Sequence, residues 1–280
     1  MSIRITILCE NTVTPSLPVM GEHGFAVFIE TAHGNFLFDI GQGLTITHNA
    51  KHLKKDLTSI KSIFLSHGHY DHTGGLPEVL KVKKEVVIYA HPDIFSKKYA
   101  LVRNNGQENK KQVGMKSARE DLERQGAQFK LNRVFTEVER DIYLTGEVPR
   151  ITDYEKGDTR LLAERSGLLL PDLLLDDQSL VVKTEQGLLV VLGCAHAGLI
   201  NILRHIKNYF KNDAIHTIIG GTHLGFLTDT QLENTISDLK RFEFKKLGAS
   251  HCTGLKAAAR LSQEFGDRFF FAIVGTSMAL

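Results

Sequence analysis

The segment Ser66-His67-Gly68-His69-Tyr70-Asp71-His72-Thr73-Gly74-Gly75 sets three imidazoles and a carboxylate within six positions. Imidazole nitrogen and carboxylate oxygen are the usual protein ligands of zinc and of other first-row divalent ions. The group follows Ser62-Ile63-Phe64-Leu65-Ser66, an apolar run that reads as a short buried strand ending at His67. Gly68 and the pair Gly74-Gly75 let the backbone fold tightly, so that neighbouring side chains can converge. A surface loop that merely holds histidines has no reason to place this order of groups directly after a buried strand. His67, His69, Asp71 and His72 are therefore expected to nucleate a site for one or two divalent ions, with zinc the expected metal.

Other histidines share that context. His196 lies in Gly193-Cys194-Ala195-His196-Ala197-Gly198, His223 closes Gly220-Gly221-Thr222-His223, and His251 opens His251-Cys252-Thr253-Gly254. Each follows an apolar strand and has small neighbours, and strand ends in layered α/β folds are where sites are assembled. Taken singly, each is more often a hydrogen-bonded structural histidine. Together, beside the first cluster, they make His196 and His251 expected ligands. His223 stands between ligand and substrate contact, with Thr222 beside it on the substrate side. The remaining histidines lack this context: His48, His52, His205 and His216 read as solvated or packed, His91 before Pro92 as a turn residue, and His23 and His33 as loop residues. Asp39 ends a strand and reads as a cap of the next loop, although a carboxylate that orients a ligand histidine would look the same. Asn11, after the first strand, reads equally as a turn residue or a substrate contact at the rim. Cys252 adjoins an expected ligand, but buried free cysteine is common.

The elements that must position these groups alternate between strands and helices. Ile3 to Leu8 is a strand, and Gly24 to Glu30 with Asn35 to Ile40 forms a hairpin about the turn at Thr31-Ala32-His33-Gly34. Leu44 to Leu53 reads as a helix, a brief helix opens at Pro77, and Val86 to Tyr89 is a strand. From about residue 95 to 167 the chain is more charged and its apolar residues scatter. Ser117 with Glu120 resembles a capping box there, opening a helix that Gly126 ends, and Ile142-Tyr143-Leu144 is a strand. Strand logic resumes with Gln178 to Lys183 and Leu188 to Leu192 about a turn at Glu185-Gln186-Gly187. Then come a helix over Ile200 to Phe210, a strand over Ile215 to Ile219, and a helix capped by Thr228. Lys246 to Ala249 is a strand, Leu255 to Phe265 a helix, and Arg268 to Val274 a closing strand. Strands followed by helices, twice over, suggest two similar halves with sheets inside and helices outside. The expectation is one α/β domain over residues 1–280 with an insertion or lid at about 95–167.

With 34 Lys and Arg against 32 Asp and Glu, the near-neutral balance calls for neither nucleic acid nor an anionic membrane. No apolar run has bilayer length, and the first residues lack a signal-peptide pattern. The sparse cysteines, Cys9, Cys194 and Cys252, form no spaced framework, so a reducing, cytoplasmic setting is expected.

At these residues the sequence resembles the metallo-β-lactamase superfamily. The pattern His-x-His-x-Asp-His is met by His67, His69, Asp71 and His72. The resemblance matches His196 to the third-ligand histidine, His251 to the last histidine and Asp39 to the early strand-end aspartate. It covers nearly the whole chain outside the segment of about 95–167. It implies a four-layer αββα sandwich with two metals in a cleft at one edge of the sheets, bound by His67, His69, Asp71, His72, His196 and His251. One departure stands out: the place of a metal-bridging aspartate holds Gly220-Gly221-Thr222-His223. The strings around His196, His223 and His251, with Thr145-Gly146-Glu147-Val148-Pro149-Arg150, resemble the branch that includes the dihydropterin-ribofuranosylaminobenzene-phosphate synthases.

The expected function is a metal-dependent enzyme that hydrolyses or displaces a phosphoester or pyrophosphate group of a small, phosphorylated substrate, with Asp71 and His223 in catalytic roles. The alternative is a pterin-related transferase, in which Arg150 and Lys97-Lys98 would receive phosphate. A purely metal-binding protein fits less well, because structural zinc sites close with four ligands.

Overall fold

A computed structural model describes residues 2–104 and 106–280. Two seven-stranded sheets carry the chain. In the first, Ser277–Ala279, Ile3–Cys9, Ala26–Thr31 and Gly34–Phe38 run antiparallel in that order. Parallel Ile60–Phe64, Val86–Ala90 and Ala127–Leu131 then extend it. The second mirrors that plan: Thr136–Glu139, Ile142–Leu144, Leu180–Thr184 and Gly187–Leu192 are antiparallel, and Ile215–Gly221, Lys246–Ser250 and Phe269–Phe271 continue in parallel.

Side-chain alternation decides how the sheets stack. On Gly187–Leu192, Leu189 and Val191 join Ile3, Ile5, Ile7, Phe36, Phe38 and Phe64 in a core between the two sheets. The intervening Leu188, Val190 and Leu192 face a second core against the helices Leu199–Tyr209, Asp229–Leu239 and Leu255–Phe265. A third core lies on the outer face of the first sheet, under Ile46–His52, Leu76–Val82 and Arg119–Arg124. Period-2 alternation with both faces apolar requires cover on both sides, and the outcome is the expected αββα sandwich.

Some local expectations are corrected. The helix Arg119–Arg124 starts after Ala118 with no side-chain cap, so Ser117 and Glu120 form no capping box. The closing strand is shorter than read, Phe269–Phe271. The segment of about 95–167 contributes strands to all three sheets of the molecule. The third sheet, ordered Leu168–Pro171, Leu161–Arg165, Lys98–Asn104 and Gln107–Gln112, was not legible in the sequence. It is pinned to the sandwich by Lys98, which is buried and ion-paired to Asp172 and Asp176 at 2.8 Å each. Asp176 in turn accepts from Gly68 N at 2.8 Å, so the pin reaches the histidine-rich loop itself.

Candidate metal centre

Register brings the strand ends together. Leu192 lies beside Gly220, and Gly221 beside Ser250, so the loops carrying His196, His223 and His251 leave one sheet edge side by side. On the facing sheet Phe38 pairs with Phe64, which sets Asp39 against Ser66 and His67. Gly193 is the contact between the two edges: a Cβ there would collide with Ser66 Oγ, so only glycine lets the edges meet. Asp39, Ala195, His223 and His251 all have φ between 49° and 57°. Left-handed backbone at non-glycine residues is strained and clusters at functional sites.

Two sets of donor atoms result. In the first, the ligand atoms of His67, His69 and His196 lie within 4.8 Å of one another, all from buried residues. In the second, His251 Nε2 is 3.2 Å from Asp71 Oδ2 and 3.2 Å from His72 Nε2, and His72 Nε2 is 3.8 Å from Asp71 Oδ2. From the one-turn helix Tyr70–Thr73, His72 also reaches back to Asp39 through its other ring nitrogen.

The partners of these rings fix which nitrogen faces inward. Asp39 Oδ2 lies 2.7 Å from His72 Nδ1 and accepts from Ser66 Oγ, also at 2.7 Å. Ser66 Oγ, its proton thus committed, accepts from His67 Nδ1 at 2.8 Å. Asn11 Oδ1 accepts from His251 Nδ1 at 3.1 Å, and Glu10 Oε1 accepts from His251 N at 2.6 Å. In each case Nδ1 carries a proton outward and Nε2 points into the site, the arrangement in which an imidazole is oriented by what its other nitrogen bonds. Asp39 thus sits as an orienting carboxylate, the second of the two roles its strand-end position offered. Asn11, exposed after the first strand, holds His251 through its Oδ1.

The electrostatics and unmet hydrogen-bond demand suit a cation. Burial pushes His69 down to about 3, and holds His67 and His196 far below the ordinary histidine range, so all three are neutral donors. Both ring nitrogens of His196, and Nε2 of His69, are buried without any hydrogen-bond partner among the described residues. Buried polar atoms are seldom left so, and each such case calls for an explanation. For His72, burial presses downward, but the charges of Asp39 and Asp71 outweigh it and raise the ring to about 9. The field there favours positive charge, which a divalent cation supplies in place of that proton. The donor set of five imidazoles and one carboxylate therefore fits divalent metal.

His223 lies outside both sets. Its ring packs on His196 with centroids 4.1 Å apart, and its Nε2 is 3.5 Å from Asp158 Oδ2. Burial opposes its charge, but Asp158 and Cys252 raise it to about 9. Thr222 turns away, its hydroxyl bonded to Thr253 Oγ1 at 3.1 Å. The cations expected to receive phosphate are committed elsewhere. Arg150 donates to the carbonyls of His196 and Leu173, Lys98 is buried in its ion pairs, and Lys97 pairs with Glu164 on the surface. Arg160 lines the cavity, itself paired to Asp158. Sequence reasoning also missed His23, whose Nε2 is 3.2 Å from Asp71 Oδ2 at the mouth of the site, along with Glu10 and Cys194. A loop histidine and an early strand-end glutamate carry no local signal; Cys194 had one, standing two residues before His196.

Above the donors lies a cavity of about 190 Å³. Leu101, Val102 and Leu161 of the third sheet, with Tyr70, Val113 and Phe226, give it an apolar wall, while the histidines and Asp71 form its polar floor. Such convergence of a few polar groups under an apolar wall is the usual build of a small-molecule site.

The comparisons agree with this architecture. Residues 19–206 match the family model for the metallo-beta-lactamase superfamily. The 7,8-dihydropterin-6-methyl-4-(beta-D-ribofuranosyl)-aminobenzene-5'-phosphate synthase of Methanocaldococcus jannaschii is 31% identical over 96% of this chain and 93% of its own. Among solved structures, Tm1679, described as a metal-dependent hydrolase of the beta-lactamase superfamily, is 28% identical with a TM-score of 0.83, covering 99% of this chain and 98% of that one. Zn(2+)-bound PqqB from Methylobacterium extorquens shares the fold at 11% identity and a TM-score of 0.56, covering 99% of this chain and all of that one. On its sandwich, its motif and these similarities, the chain belongs to the metallo-β-lactamase superfamily, and within it is similar to the dihydropterin-ribofuranosylaminobenzene-phosphate synthase branch.

Proposed function

We propose that the protein is a metal-dependent enzyme acting on a phosphoester or pyrophosphate group of a small molecule, with hydrolysis as the simplest reaction of the site. The observation that carries this reading is the pair of donor sets beneath one cavity, with the nitrogens of His196 buried and unpartnered. His67, His69 and His196 would hold one ion, and Asp71, His72 and His251 the other. When bound, such ions polarise phosphoryl oxygen and make water a better nucleophile. Asp71 is held ionised well below the usual carboxylate range, burial notwithstanding, by His72, His23 and His251. It is thus an acceptor that can align an attacking O–H or N–H. His223, protonated against Asp158, can donate to a phosphate oxygen or to the leaving group. The third sheet and Phe226 supply an apolar opposite wall.

A second reading is transfer, in which an aryl amine replaces water as nucleophile. The apolar wall over the donors favours it, since a flat ring can lie there, and so does the similarity to the synthase along nearly the whole chain. Turnover of the metal-loaded protein separates the two. Conversion of phosphodiesters to monoester and alcohol, of cyclic nucleotides to nucleoside monophosphates, or of lactones to hydroxy acids supports hydrolysis. Amine-dependent consumption of a dihydropterin pyrophosphate supports transfer. No turnover in either arm, with metal bound, counts against the enzymatic reading.

A further inference from the structure

Cys194 is a buried nucleophilic group that the two donor sets leave unused. Its sulfur is 3.1 Å from His72 Nε2. Its Sγ also lies within 4.8 Å of ligand nitrogens of both His67 and His72, so it stands near one member of each set. Two glycines hold it there. Gly193 presses the strand end onto Ser66, and at Gly221 a Cβ would lie 2.5 Å from Cys252 Sγ and 3.4 Å from Cys194 Cα. No side chain can therefore project from position 221, and the space between the sets is filled from Cys194 instead. The neighbouring Cys252 lies close by: Cys194, His223 and Cys252 bring ligand atoms within 4.8 Å of one another, and the Cys252 sulfur accepts from His223 N at 3.2 Å and donates to the Cys194 carbonyl at 3.5 Å. The unpartnered His196 nitrogens line the same cavity as Cys194 and converge with His67, which also lies near the Cys194 sulfur.

We propose that Cys194 is a thiolate ligand shared between the two ion pockets, doing with sulfur what a bridging carboxylate would do with oxygen. The inference rests on the metal reading above. Forming the bond releases the thiol proton to solvent and transfers no electrons. Thiolate is the softer donor and suits zinc or cobalt over magnesium.

Cobalt(II) added to the reduced, metal-free protein tests it. Wild type and Cys252→Ser should develop an intense near-ultraviolet sulfur-to-cobalt charge-transfer band, and Cys194→Ser should bind cobalt without that band. Equilibrium dialysis counts the bound cobalt independently. Retention of the band in Cys194→Ser, or its loss in Cys252→Ser alone, overturns the assignment. Cobalt bound to wild type with no band overturns it while leaving the metal reading intact, whereas no bound cobalt defeats both. Should Cys194→Ser fail to fold, zinc X-ray absorption of Cys252→Ser decides. A sulfur neighbour supports the proposal, and a shell of nitrogen and oxygen only contradicts it.

Discussion

Asp39 accepts from Ser66 N, Ser66 Oγ and His72 Nδ1, each at 2.7 Å, and so it orients the rings of both donor sets without facing the cavity. In Asp39→Asn one acceptor becomes an NH2 group, which meets a donor at Ser66 Oγ or His72 Nδ1. Metal affinity should fall about 10- to 100-fold, read by competition with a chromogenic chelator, and an unchanged affinity would refute this role. Asp177 supplies a pH test. Burial raises it from 3.8 to about 6, against its bond from Ala197 N and the charge of Arg150. A raised folded pKa means that the native state holds the proton more tightly. This contribution is complete below about pH 4 and is lost as pH rises through about 6. Relative to Asp177→Asn, the metal-free wild type should therefore lose roughly 2 kcal/mol between pH 4 and 7, measured by urea unfolding. A difference that is flat with pH would contradict the assignment. Asp39 was visible in the sequence as a strand-end carboxylate that could either cap a loop or orient a histidine. His23 and Glu10 were invisible, because loops brought from far along the chain, rather than local spacing, carry them to the site.

Among the elements, the third sheet depends on Lys98. This lysine reads in sequence as half of a basic pair that would receive phosphate, yet it turns inward to Asp172 and Asp176 while Lys97 stays outside. Lys98→Met should destabilise the protein by about 3–5 kcal/mol, because two carboxylates are left buried without their cation. It should also weaken metal binding, through Asp176 and Gly68 N. Thermal unfolding and chelator competition read the two effects, and a neutral substitution would show that the pin is dispensable. The strands around the site were legible because both of their faces are apolar and each ends at a glycine or histidine. The third sheet was not: Gln107–Gln112 is exposed at every position, and Lys98–Asn104 finds Leu161–Arg165 more than fifty residues later. Neither feature leaves a period to read.

At the scale of the whole molecule, the donors come from both sheets: His67, His69, Asp71 and His72 from the first, His196 and His251 from the second. Bound metal therefore links the two halves. It should stabilise the folded state by mass action, about 2.7 kcal/mol at a hundredfold excess over Kd, seen as a rise in Tm when zinc is added to metal-free protein. The sandwich was legible because the alternating apolar pattern repeats in both halves, whereas the covering of the cleft depends on pairings that only the folded chain reveals. The central claim is that these two donor sets hold metal. Elemental analysis of wild type, His67→Ala and His251→Ala, purified alike and checked for folding by circular dichroism, tests it most directly. The account predicts about two equivalents in wild type and the loss of most metal from the altered set in each variant, with the fold retained. Full metal retention in both variants would contradict it.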